Sequence, residues 1–140
     1  MNQGFTLIEL LTVVTIVAVL AAGVLITFPA AQERARDARL INAMQQLRVA
    51  AEASQGSYGD YSQIKTVGSS DPMIEPIMEE INRIKGSYPT VHLEMDGDEA
   101  IGFCAEIALI SGTRLWCVDS DMYSDYVSST QCTAPGDRCD

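Results

Sequence analysis

At 140 residues the chain has room for one domain, or for one small domain and an anchor. An apolar content of 47% and a mean hydropathy of +0.09 exclude a disordered chain and are too polar for a multi-span membrane protein. Nine Lys and Arg against nineteen Asp and Glu give a net charge of −10, which argues against a preformed nucleic-acid surface.

The averages hide a segregated chain. Residues 10–31 carry no charge, whereas residues 57–140 hold fifteen acids and five bases. The first element is therefore an apolar helix, from Leu10 to Ala31, interrupted in polarity only by threonines. A bilayer core needs about 20 helical residues, so this run is long enough to span. A cleaved secretory signal fits poorly: its apolar region should be shorter, with bases before it, and Phe28-Pro29 does not suit a small-x-small site. Glu9 does not suit a plain anchor, because an intramembrane carboxylate costs a few kcal/mol unless paired. Its natural partner is a cation at the same depth.

Gly4-Phe5-Thr6-Leu7-Ile8-Glu9-Leu10-Leu11, followed by the apolar run, resembles the class III signal of type IV pilins and type II secretion pseudopilins. Ala35-Arg36-Asp37-Ala38-Arg39 and the Gln45-Gln46-Leu47 region are also similar to pilin stems, so the likeness covers about the first 55 residues. The resemblance implies cleavage by a prepilin peptidase between Gly4 and Phe5 and methylation of the new Phe5 amine. It makes Glu9 the assembly residue that meets the amine of a neighbouring Phe5. Two features depart from the family: Met1-Asn2-Gln3 supplies no base before the glycine, and Pro29 sits about one turn later than the proline of many pilins. Arg34, Arg36 and Arg39 follow the span, which opposes a simple positive-inside reading. They read as a solvated collar, or more sharply as a contact for the acidic heads of neighbouring subunits.

The helix is expected to continue through residues 32–54, where Leu40, Ile41, Met44, Leu47 and Ala51 make an apolar stripe. Arg48 and Glu52 are expected as an exposed i,i+4 pair, and Ser54-Gln55-Gly56-Ser57 as the stop. From Phe5 to about Ala53 such a helix measures about 75 Å. Residues 56–70 read as a loop. Asp71-Pro72 and Glu75-Pro76 offer two starts for a second helix carrying Ile74, Ile77, Met78, Ile81 and Ile84, stopped by Gly86. Val91–Met95, Ala100–Ile110 and Leu115–Val118 read as strands, with a hairpin turn at Asp96-Gly97-Asp98. The expected fold is α+β and pilin-like: a leader at 1–4, an apolar helix at 5–31, its amphipathic continuation at 32–54, and a head at 55–140. In that head the stem's stripe covers a small antiparallel sheet of three or four strands.

Cys104, Cys117, Cys132 and Cys139 all fall in the last 37 residues. Their spacings of 13, 15 and 7 match no common zinc pattern, so two disulfides formed in an oxidising compartment are the better reading. The turn at Gly112 favours Cys104–Cys117, and Pro135-Gly136 favours Cys132–Cys139; crossed pairings such as Cys104–Cys132 with Cys117–Cys139 are the alternative. Asp119, Asp121 and Asp125 offer oxygens that could hold Ca2+, as a comparable late loop does in some major pseudopilins, but an acidic solvated loop is the better reading. His92 reads as an exposed strand residue facing away from Val91 and Leu93. No H-E-x-x-H, G-x-S-x-G or Gly-rich phosphate loop is present, so neither catalysis nor a cofactor is expected.

By resemblance the chain is a filament subunit, a homopolymer of like copies, resident in the inner membrane before assembly and extracellular afterwards. Its partners are then the prepilin peptidase and the pilus or secretion assembly machinery, with no nucleic acid for the isolated subunit. Adhesion, motility, DNA uptake and secretion are the roles open to it. The alternatives are a pseudopilin of a type II secretion or competence system and, in another class, a membrane-anchored monomeric binding domain.

Overall fold

The computed structural model describes residues 6–65, 71–112, 114–134 and 136–139, and of residues 25–27 the backbone alone. Helix α1 runs Leu7–Tyr58. The chain divides into two units, Met1–Arg34 and Ala35–Asp140.

In the second unit the expected stripe forms. Leu40, Met44, Leu47 and Ala51 are fully buried, joined by Ala43 and Ala50, because residues three and four apart share one face of a helix. The helix ends four residues later than Ser54 led us to expect. Gly56 is absorbed within it, and the stop is Gly59, whose φ of 88° suits glycine and few other residues. Arg48 and Glu52 do not pair. Arg48 donates to the Met122 carbonyl (2.6 Å), and Glu52 accepts from the Tyr61 hydroxyl (3.0 Å). Each found a partner fixed by tertiary packing, which outweighs a surface ion pair worth tenths of a kcal/mol.

Asp71 opens the second helical segment. Its carboxylate accepts from the N–H groups of Met73 (2.7 Å) and Ile74 (3.3 Å) and from the Ser54 hydroxyl (2.9 Å), tying this turn to the stem. Helix α2 then runs Glu75–Lys85, with Pro76 in its first turn and Gly86 in the left-handed C-cap (φ 80°). Ile74, Met78 and Ile81 bury against the stem's stripe.

The sheet is a four-stranded antiparallel meander: β1 Thr90–Asp96, β2 Glu99–Ala108, β3 Leu115–Asp119 and β4 Ser124–Val127, in the order β1-β2-β3-β4. The β1–β2 turn lies where Asp96-Gly97-Asp98 placed it, with a bulge between Glu94 and Met95. Period-2 alternation separates the two faces. Phe103, Ala105 and Ile107 of β2 and Trp116 and Val118 of β3 join the stem and α2 in the main core. Cys104, Glu106, Cys117 and Asp119 occupy the other face. His92 lies opposite Cys104 in the ladder and is half-buried rather than exposed, although it faces away from Val91 and Leu93 as expected.

Candidate functional site

Two places carry the residues singled out from the sequence: the start of α1 and the outer face of the sheet. At the first, Leu7–Val24 is an 18-residue window of mean hydropathy 2.5, and none of it is buried by the rest of the chain. Its leucines, isoleucines and valines point outward on every side, which suits a lipid or helix-packed surrounding and not water. The hydroxyls in this run are satisfied within the helix. Thr12 donates to the Glu9 carbonyl (3.0 Å) and Thr15 to the Thr12 carbonyl (2.8 Å).

Glu9 has a local partner that the sequence reading missed. Its Oε2 accepts from the Thr6 N–H (3.0 Å) and the Thr6 hydroxyl (2.7 Å), while the Glu9 N–H donates to Thr6 Oγ1 (3.4 Å). This is a reciprocal capping box, T-x-x-E, satisfying donors that a helix start leaves open. The pattern Thr6-Leu7-Ile8-Glu9 was visible in the sequence. Only Oε2 is engaged, so Oε1 makes no bond among the described residues. Gly4 and Phe5, where cleavage and methylation are expected, lie outside the described residues.

At the second place all four cysteines are buried, and their sulfurs lie within 4.8 Å of one another. The bridges join Cys104 to Cys132 (Cα–Cα 5.6 Å) and Cys117 to Cys139 (5.8 Å). This corrects the sequential pairing favoured above. Cys104 stands opposite Asp119, and Cys117 opposite Glu106, so the two cysteines are diagonal rather than facing neighbours. Diagonal positions lie about 7–8 Å apart, beyond the usual disulfide reach. The tail fills the gap by lying across this face, so that each sheet cysteine meets a tail cysteine.

Two buried carboxylates dock the tail. Glu106 Oε2 accepts from the N–H groups of Gln131 (2.8 Å) and Cys132 (3.3 Å). Asp119 accepts from Cys139 through Oδ2 (3.0 Å), and from Asp121 and Tyr123 through Oδ1 (both 3.0 Å). The three aspartates of the calcium reading have other partners here. Asp119 is 1% exposed and takes three backbone donors, Asp121 pairs with Arg138, and Asp125 accepts from the Tyr126 N–H. The three carboxylates form no metal-binding group among the described residues. Asp137 closes the tail on itself, accepting from Thr133 and Ala134, and these bonds hold its carboxyl below the usual range.

The comparisons agree with the first of these places. Residues 1–25 match a family model described as the prokaryotic N-terminal methylation motif. No curated protein and no solved structure matches the chain. A long N-terminal apolar helix, an antiparallel four-stranded sheet and a doubly bridged C-terminal segment together make a pilin-like α+β fold. One apolar helix behind such a signal fits anchoring in the inner membrane before assembly. The N-terminal segment is thus a class III prepilin signal, of the kind typical of type IV pilins and pseudopilins.

Proposed function

We propose that the chain is a pilin, a structural subunit that polymerises with copies of itself into a type IV pilus. Residues 1–4 are the leader, removed by the prepilin peptidase. The apolar helix holds the subunit in the inner membrane until the assembly machinery transfers it to the fibre. There, neighbouring helices replace lipid around the same apolar surface, since packed helices and acyl chains are equally apolar surroundings. The fibre is extracellular and serves adhesion, twitching motility or DNA uptake.

The observation that carries this reading is Glu9. A carboxylate sits at the start of a span of mean hydropathy 2.5, with one oxygen unbonded among the described residues. Capping through Thr6 would serve an anchored monomeric domain equally, but such a domain has no use for the second oxygen. A polymer does, because the N-terminal amine of the next subunit neutralises it in a medium where an ion pair is far stronger than in water. The test is to shear the producing cells and examine the released material by electron microscopy. Micrometre-long fibres with this chain as main component are expected. Their absence, with the chain confined to a secretion or competence apparatus, would assign it to the pseudopilins.

A further inference from the structure

We infer that in the fibre the base of one head docks on the tip of the next, joining an arginine cluster to an acidic hairpin; this rests on the filament reading above. The two ends of the head can be identified. Asp37, near its first stem turn, is buried and accepts from the N–H groups of Ile110 (2.6 Å) and Ser111 (3.3 Å), so the β2–β3 turn marks the base. Tyr61, just past the end of the stem, donates its N–H to the Ala100 carbonyl (2.9 Å), so the start of β2 marks the tip. The β1–β2 turn at 96–99 lies at that tip. Between Asp37 and Tyr58 the helix rises about 30 Å.

Charge follows the same axis. At the base, Arg36 and Arg39 of α1 and Arg83 of α2 line a cavity of about 290 Å3 with Glu80 and Ile84. Glu80 pairs with Arg83. The side chains of Arg36 and Arg39 are exposed and make no hydrogen bond or ion pair among the described residues. The acid between them in sequence, Asp37, is committed to the turn. At the tip, Asp96, Asp98 and Glu99 are exposed, and their carboxylates likewise make no such bond among the described residues.

Exposed charges are ordinarily satisfied by water. These differ because like charges crowd at each end: three carboxylates at the tip, and at the base three arginines whose neighbouring acids Asp37 and Glu80 are already bonded to the β2–β3 turn and to Arg83. Arg36 and Arg39 are an i,i+3 like-charge pair on one helix, and three carboxylates share one hairpin end; both arrangements are mildly repulsive in the isolated chain. An oppositely charged surface relieves both. Each copy carries the two surfaces at opposite ends, so the contact is heterologous, and its repetition gives an open helical polymer rather than a closed dimer. Complementary charge also fixes register and speeds encounter.

The test is a charge swap in the full chain, in its producing cells, with sheared fibre mass per cell as readout. Arg36→Glu/Arg39→Glu reverses the base, and Asp96→Lys/Asp98→Lys/Glu99→Lys reverses the tip. Either set alone is expected to lower fibre mass about tenfold or more, since like charges would then face each other across the contact. Both sets in one chain are expected to restore most of it. Undiminished fibres from either single-end variant would overturn the proposal, as would a combined variant no better than its parents. If the base instead served lipid phosphate, the tip variant would assemble normally, which is one of those overturning results. Should a lysine variant fail to accumulate in the membrane, Asp96→Asn/Asp98→Asn/Glu99→Gln replaces it, with fibre mass again expected to fall. Fibres absent from the unaltered chain would instead defeat the filament reading itself.

Discussion

On the filament reading proposed above, Glu9 would serve two partners with one carboxylate. Oε2 caps the helix through Thr6, leaving Oε1 for a neighbour's amine. Glutamine at the third position also completes a capping box, so Glu9→Gln keeps the helix start and removes only the charge. Membrane insertion should then be normal and polymerisation nearly lost, measured as membrane-bound monomer against sheared fibre. Abundant fibres from this variant would remove Glu9 from assembly. Asp37 makes a second test at this scale. Asp37→Ala leaves the Ile110 and Ser111 donors without their acceptor, and should cost about 1–3 kcal/mol in unfolding free energy. Asp71 gives a pH signature. Its carboxyl is held below the usual range, first by the Met73 N–H, then by Ser54 and Ile74, against the opposing effect of burial. A depressed folded pKa stabilises the fold above the unfolded value of about 3.9, and that stability is lost as pH falls through the folded value. Melting temperature should therefore drop on acidification below about pH 4, and Asp71→Asn should flatten that limb.

Among the elements, stem and tail differ in how far sequence exposes them. The stem's buried residues follow from helical period alone, and the hairpin from Asp96-Gly97-Asp98 between alternating runs. The late stop at Gly59 was hidden because Gly56 is an equally good stop by composition. Strand β4, Ser124–Val127, is four residues long and opens on the polar pair Ser124-Asp125, so Asp125 reads as part of a loop. The tail was least visible. Its position depends on Glu106 and Asp119, whose backbone donors in the tail lie 20 or more residues away, and no local pattern reports such pairs. The disulfide pairing was missed for a related reason, since register decides which cysteines face each other and one-residue shifts change it. Each bridge closes a loop of 22 or 28 residues, worth about 3 kcal/mol by loop-closure entropy. Non-reduced mapping with cleavage after Arg114, Tyr126 and Arg138 isolates the four cysteines on separate peptides. The Cys104 peptide should be joined to the one carrying Cys132; joined to Cys117, it would show the crossed pairing to be wrong.

For the whole molecule, maturation is the first expectation. Intact-mass analysis of fibre protein should give a chain beginning at Phe5 and carrying one methyl group; a start at Met1 would contradict processing at the matched signal. The crossed bridges bear on what a protease can do to such a chain. Both bridges span residues 118–131, so a protease that cuts the backbone anywhere in that stretch frees nothing. The nicked subunit stays one covalent object, held by two bonds, and would fall into two pieces only on reduction. Bridges paired in sequence order would have let the same cut shed the tail. The head thus stays whole after such a cut, which would suit a part that, on the filament reading proposed above, cannot be exchanged once installed.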